Sequence, residues 1–461
     1  MNTRDNVRWN MYATVLPAKE ATFVLLEDRG QVLRVDHRDY GQKELLALKD
    51  RACESLGALE PLLRDVEALV PVEHDERARV HDLARQSEMS EDKGATRMHL
   101  FLTHSCNFRC SYCIQGHEIK KKNSSVMSVG TVDDAFSALP SIVDAIPHGA
   151  MPKAVTLFGG EPIMPGTRAP FMHAIDRAVE IGLRVDVVTN GYYYDEFAPR
   201  LAEKGILSRM SFLVSIDGPP EIHDVRRSLV NGRGTFQKVA GNVDRMLDDG
   251  ARVVLQPIVD EANVDRLEEL YELAERRGWL AEGTRFEMKC GITMYPNAEA
   301  FEGRSGSSEG AVLGKLLRFS SAHSRVSAGF DAVLKRSHFL DMVAREGKKV
   351  AVTTACDAKR AGTLSFSPDG FFYPCREYAG HGEEKALGRF SPGLEVFAER
   401  FSSWFGWKVS SHPKCAPCKH VLVCGGGCRV ETETHGRDER VDPLCPDFEG
   451  IWRTYLNQVD V

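Results

Sequence analysis

Cys106, Cys110 and Cys113 stand at CxxxCxxC, directly after the apolar run Met98 to Thr103. Three thiols this close cannot all pair as disulfides. They can close around an iron–sulfur cluster, because thiolate is the soft ligand that iron–sulfur centres need. Three ligands for a cluster of four irons leave one iron open. An open metal position is where a cofactor or substrate binds, whereas fully ligated sites are structural. Zinc is the competing reading, but zinc usually takes four ligands, often as two Cys-x-x-Cys-like pairs. A second group lies near the C-terminus. Cys415, Cys418, Cys424 and Cys428 stand at CxxCxxxxxCxxxC, Cys445 follows, and upstream Cys356 precedes Cys375 in a G-x4-C.

These cysteines need a scaffold. The 461 residues are too many for one core, so two to four domains are expected. With 43% apolar and 27% charged residues the composition is that of a globular chain. Lys+Arg 59 against Asp+Glu 66 gives a net charge of -7, which argues against nucleic acid or an acidic membrane as a partner. No apolar run approaches the roughly 20 residues of a membrane span. The N-terminus lacks an apolar signal core, so a cytoplasmic location is expected. Twelve cysteines in that compartment point to metal or redox chemistry rather than disulfides.

Residues 1–93 read as a small α+β module. Strands are expected at Tyr12–Leu16, Thr22–Leu26 and Gln31–Val35, and helices at Glu44–Leu48 and Leu59–Val70. Glu76–Gly94 reads as a solvated helix or linker. From Thr96 strand and helix alternate. The expected strands are Met98–Thr103, Ala154–Phe158, Arg184–Thr189, Phe212–Ile216, Arg252–Ile258 and Arg285–Lys289. Between them lie helices at Thr131–Ile146, Ala169–Ile181 and Thr235–Leu247, and one capped by Asn263. Six such repeats imply a parallel sheet, open or curved into a partial barrel, spanning 94–296. Ligands in such sheets sit at the carboxyl ends of the strands. The cysteine triad, Gly159-Gly160-Glu161-Pro162, Thr189-Asn190-Gly191 and Ser215 to Gly218 all fall there. Residues 297–350 read as a connector or a cover over the barrel mouth, and 351–461 as a cysteine-rich domain.

The CxxxCxxC motif after a first strand, with Tyr112 before Cys113, resembles the radical S-adenosylmethionine (SAM) superfamily. Gly159 to Pro162 matches that family's GGEP segment, and Ser215-Ile-Asp217-Gly resembles its strand-four segment. The resemblance implies a partial (β/α)6 barrel of TIM type. It also implies one [4Fe–4S] cluster on Cys106, Cys110 and Cys113, whose open iron chelates SAM. One electron then cleaves SAM to a 5′-deoxyadenosyl radical that abstracts hydrogen from substrate. Tyr112, Gly159, Gly160, Glu161, Asn190, Ser215, Asp217 and Arg227 become the SAM-contact candidates, with Glu161 suited to an ammonium and Arg227 to a carboxylate. The C-terminal cysteines resemble the SPASM extension, which implies two auxiliary [4Fe–4S] clusters. Cys356, Cys375 and Cys428 would hold the first, and Cys415, Cys418, Cys424 and Cys445 the second.

SPASM enzymes commonly modify peptides or protein side chains. The N-terminal module is weakly similar to the winged-helix-like leader-recognition domains of peptide-modifying members, which add the leader as an extra strand. The implied protein is a ribosomal-peptide maturase, an oxidoreductase that takes a precursor peptide as substrate and electrons from a flavodoxin or ferredoxin. The alternatives are a sulfatase-type maturase that makes formylglycine and, outside enzymes, an iron–sulfur electron carrier. For a catalytic group the sequence offers only Cys290, Glu287 and Tyr295, with Lys289 near them. Cys53 and Cys290 read as packed small hydrophobes.

Overall fold

The computed structural model describes residues 7–89, 97–113, 125–147, 149–292, 306–327, 356, 358–359, 363–434, 436, 442–443, 445 and 447–457. The N-terminal part contains β1 (Val7–Trp9), β2 (Ala13–Pro17), β3 (Ala21–Leu26), β4 (Gln31–Asp36) and β5 (Leu69–Pro71). Strands β2, β3 and β4 form an antiparallel sheet in that order, and β1 pairs with β5. The helix expected through Val70 stops at Asp65, because Glu67 takes a φ of 58° and Leu69–Pro71 pairs with Val7–Trp9. Apolar spacing alone cannot see that distant partner. Helix Glu76–Met89 forms as expected but is not merely solvated. Its Val80 and Ala84 are buried against Tyr12 and the C-terminal Val409, Val421 and Leu422.

The α/β centre follows. Strands β6 (Arg97–Thr103), β7 (Ala154–Gly159), β8 (Arg184–Thr189), β9 (Met210–Val214) and β10 (Arg252–Leu255) run parallel in sequence order. One transverse row, Leu100, Leu157, Val187, Phe212 and Val253, is fully buried on the helix side. There the Phe212 ring meets Tyr194 of helix Tyr194–Glu203 edge-on. Helix Val129–Ala145 starts where the Ser128 side chain accepts a hydrogen bond from the Thr131 N–H (3.0 Å), and it buries Val132, Phe136, Leu139 and Val143.

The single strand expected at Arg252–Ile258 splits into β10 and β11 (Ile258–Val259). Pro257 lies between them and has no N–H to carry the ladder through. The sixth parallel strand is β12 (Phe286–Lys289), beside β10, while β13 (Gly291–Ile292) pairs with β11. Strand β14 (Val326–Ser327) extends the β12 edge. At the other edge β15 (Thr363–Phe366) lies parallel to β6, followed by antiparallel β16 (Phe371–Tyr373), β17 (Gly388–Arg389) and β18 (Glu395–Val396). The C-terminal segment therefore continues the main sheet.

Within 297–350, helix Gly306–Ala322 places Leu313 in a cluster with Leu16, Phe23 and Leu25 of the N-terminal sheet and with Phe448, Ile451 and Trp452 of the last helix. Among the described residues no helix is long and apolar enough to cross a membrane.

Candidate active site

The cysteine loop leaves β6 at Thr103 and is fastened along its length. Backbone N–H groups of Arg109 and Ser111 donate to the carbonyls of Ser228 (2.9 Å) and Arg226 (3.2 Å), and that of Val230 donates to Asn107 (3.0 Å). The loop is thus paired with the segment after helix Pro220–Arg226. Cys110 is buried, and Cys106 and Cys113 are partly so. The Phe108 N–H points at the Cys106 sulfur at 3.3 Å, and Asn190 Nδ2 lies 3.8 Å from it. Donors aimed at sulfur favour the thiolate.

The glycines of the GGEP segment serve this loop first. The Gly160 N–H donates to the Thr103 carbonyl and the Glu161 N–H to that of Ser105, each at 2.9 Å. A Cβ at Gly159 or Gly160 would strike the backbone of Thr103 to Ser105, and Gly159 also takes a φ of 141°. Glu161 is buried. Its Oε1 accepts from the Ile163 N–H (2.9 Å) and the Thr189 hydroxyl (2.5 Å), and its Oε2 from the Asn190 N–H (2.6 Å). Burial pushes its pKa up to about 7 against these donors. Glu161 therefore ties β7 to β8 before it can meet any ammonium.

Asp217, expected to face a ligand, is instead an internal strut. It is fully buried, and its Oδ2 accepts from the Tyr112 hydroxyl (2.6 Å) and Arg226 Nε (3.1 Å). Its Oδ1 accepts from the Ile258 N–H (3.1 Å). Arg226 also meets both oxygens of Asp260 at 3.0 Å and stacks over the Tyr112 ring at 4.8 Å. Asn263 does not cap its helix. Its Nδ2 donates to the carbonyls of Asp217 (2.8 Å) and Ile258 (2.9 Å), bracing the same turn.

Arg227 Nη1 donates to the Tyr112 hydroxyl at 2.5 Å. Burial works against the Arg227 charge, but Cys110, Tyr112 and Asp217 outweigh it. Burial likewise pushes the Tyr112 hydroxyl well above its ordinary range. Ser215 sits just beyond β9 at the edge of this network.

The sequence did not single out Asn107, Arg226 or Asp260, and it read Asn263 only as a helix cap. Only the pairing of the cysteine loop with residues 226–230 reveals them. Arg227 Nε and Asn107 Nδ2 are buried without a hydrogen-bond partner beside the cysteine loop. Two waiting donors next to three thiols fit a cluster-bound cofactor that brings acceptor atoms of its own.

The C-terminal cysteines fall into two neighbourhoods. Burial raises the Cys375 thiol well above its usual range, and nearby Cys356 and Cys428 add to this. Burial pushes Cys415 up to about 12, with Cys424, Cys418 and Cys445 contributing. Gly425, Gly426 and Gly427 all take positive φ between Cys424 and Cys428, and a Cβ at Gly426 would strike the Trp407 ring. None of the twelve cysteines is in a disulfide. Among the described residues no three His, Cys, Asp or Glu side chains are grouped to hold a single metal ion.

Two of the expected catalytic candidates, Glu287 and Cys290, do not join the site. Glu287 is paired with Arg252 at 2.7 Å on the far strands. Cys290 is packed in the core, where burial pushes its thiol up to about 12 and disfavours the thiolate. Tyr295 lies outside the described residues. Cys53 sits in the short turn Cys53–Ser55, packed on the N-terminal core.

Residues 100–274 match the radical SAM superfamily. Over those residues the chain resembles a radical SAM domain, and that family implies an iron–sulfur cluster and SAM. It is 27% identical over 187 residues to GTP 3′,8-cyclase of Vibrio cholerae, covering 40% of this chain and 52% of that protein. The chain thus spans about half the length of those curated relatives. It is 25% identical over 361 residues to the mycofactocin maturase MftC of Mycolicibacterium smegmatis, covering 76% of this chain and 82% of that protein. Its fold is like that of anSMEcpe with bound AdoMet and Kp18Cys peptide, with a TM-score of 0.56 at 17% identity over 78% of this chain and 96% of that one. It is also like Streptococcus suis SuiB bound to precursor peptide SuiA, with a TM-score of 0.53 at 10% identity over 95% and 99%. At those identities the structural likeness speaks to the fold alone.

Proposed function

We propose that this chain is a radical SAM enzyme that modifies a peptide. The carrying observation is the cysteine loop, prebuilt by the Tyr112–Asp217–Arg226–Arg227 network and flanked by the waiting donors Arg227 Nε and Asn107 Nδ2. Cys106, Cys110 and Cys113 would hold a [4Fe–4S] cluster, which with SAM supplies a 5′-deoxyadenosyl radical for hydrogen abstraction. Arg227 and Asn107 would hold acceptor atoms of the bound cofactor. Gly159 and Gly160 keep the loop close to β7, and Glu161 and Asn190 fix its outer side. Cys356, Cys375 and Cys428, and Cys415, Cys418, Cys424 and Cys445, would carry two auxiliary clusters able to accept an electron from substrate.

Peptide as the substrate class is supported by the likeness to MftC over 76% of this chain and by a fold shared with SuiB over 95% of it. The N-terminal module adds to this. Strand β2 is covered by the last helix, while among the described residues no strand pairs with the outer side of β4, which bears exposed Gln31 and Arg34. A leader peptide would add there as a further strand. A sulfatase-type maturase is the second reading, favoured by the anSMEcpe fold, which covers 78% of this chain. The test is mass spectrometry of a short peptide encoded beside this protein, incubated with SAM and the reduced, reconstituted chain. A mass change that needs β4 supports the leader-guided reading. A mass change that survives removal of residues 1–93 supports the second, and an unchanged mass contradicts both.

A further inference from the structure

The face of the main sheet opposite the helices carries a feature that the strands' apolar appearance hides. Parallel strands covered on both faces read as unbroken hydrophobic runs. Here one transverse row departs from that. Ser365 of β15 stands opposite His99 of β6, His99 opposite Thr156 of β7, Thr156 opposite Asp186 of β8, and Asp186 opposite Ser211 of β9. Each is one residue before the buried helix-side row, so all five lie on the other face. Two residues further toward the cysteine loop the same face turns apolar, with Phe101, Phe158, Val188 and Leu213.

Two atoms of this row lack partners where they should have them. The Ser365 hydroxyl is fully buried and His99 Nδ1 is buried, and neither makes a hydrogen bond. A buried polar atom left unpaired costs stability, so its retention asks for an occupant. The His99 ring is fixed by stacking on Phe158, with centroids 6.1 Å apart. Burial, aided by Arg376 and Arg97, pushes its pKa to about 3, so the ring is neutral and offers one donor and one acceptor. Thr156, Asp186 and Ser211 remain partly accessible, so the row borders open space.

We propose that Ser365, His99, Thr156, Asp186 and Ser211 form a substrate subsite that hydrogen-bonds the main-chain amides of a peptide segment. This rests on the peptide-modifying reading above. Neighbouring strands lie about 4.8 Å apart, so the row spreads its groups over roughly 19 Å. That length suits an extended chain with donors and acceptors along it rather than a compact anion. The row holds one carboxylate, Asp186, which accepts from the Ser211 hydroxyl and lies near Arg184 and Arg252, while Arg97 and Arg376 lie near His99. Arg252, the next residue in register, is committed to Glu287 at 2.7 Å. A peptide N–H meets an acceptor.

The test is saturation-transfer NMR on the full reconstituted chain, with N-acetyl-alanylglycinamide as the probe and GTP as the competitor. The blocked dipeptide is expected to bind, and GTP not to displace it. Thr156→Val and Asp186→Leu are each expected to weaken binding about three- to tenfold, the effect of one or two lost hydrogen bonds. Thr156→Val is nearly isosteric and carries the test should Asp186→Leu fail to fold. Absence of dipeptide binding, unchanged binding in Thr156→Val, or displacement by GTP would overturn the subsite. Formation of 5′-deoxyadenosine by the same wild-type preparation separates the two claims. Turnover of SAM without dipeptide binding sinks the subsite alone. Row-dependent binding without turnover upholds the subsite and sinks the functional reading.

Discussion

The two cysteine regions are built differently. The loop at Cys106 to Cys113 is held by protein groups on both sides: three backbone hydrogen bonds to residues 226–230 and a buried network through Tyr112, Asp217 and Arg226. The cysteines from Cys415 to Cys445 sit on short turns, a four-residue helix at Val421–Cys424 and a run of glycines with positive φ, and Cys445 is exposed. The first region has a hydrogen-bonded protein frame of its own. The second has thiols near one another but little secondary structure to fix them, so metal binding and local folding should be coupled there.

Metal removal should separate the regions most sharply. After chelation, limited proteolysis is expected to cut within residues 415–445 at least about tenfold faster, while 97–292 resists as before. Equal loss of protection in both regions would erase the distinction.

The next largest effect concerns the network. Asp217→Ala leaves Arg226 with Asp260 as its one remaining carboxylate and strands the Tyr112 hydroxyl and Ile258 N–H, and it should cost about 3–5 kcal/mol in urea unfolding. Cys415→Ala should leave the unfolding of the barrel unchanged. Tyr112→Phe removes one hydroxyl that links Asp217 to Arg227, and about 1 kcal/mol is expected from the same melts.

The smallest effect is a pH slope. The folded Glu161 carboxyl stands at about 7 against an ordinary 4.5, chiefly through burial. The folded chain therefore binds that proton more tightly than the unfolded one. This contribution is fully present below about 4.5 and is lost as pH rises through about 7. Glu27, raised to about 7 by burial, adds a slope of the same sign. In Glu161→Gln the fall in stability between pH 5 and 8 should be shallower than in the wild type, and an identical fall would remove Glu161 from the account.

The alternating centre was legible because its strands and helices carry their own periodicity. Arg184–Thr189 begins and ends where the sequence places it. The motif cysteines and glycines were legible because few other residue types do their work. What escaped depends on partners remote in sequence. Leu69–Pro71 became a strand because Val7–Trp9 lies beside it, and β15 joined β6 across more than 250 residues. Asp217 looked like an open carboxylate until Tyr112, Arg226 and Ile258 filled it. Helix Pro220–Arg226 was missed for being short and polar, yet it carries Arg226 and is followed by Arg227. The polar row from Ser365 to Ser211 exists only in the register of five strands.

The central claim is that the loop at Cys106, Cys110 and Cys113 binds a cluster that cleaves SAM. Quantifying 5′-deoxyadenosine from reduced, anaerobically reconstituted wild type and Cys110→Ala tests it most directly. Formation by the wild type and its loss in Cys110→Ala are predicted. Equal amounts from both, or none from a wild type loaded with iron and sulfide, would contradict it.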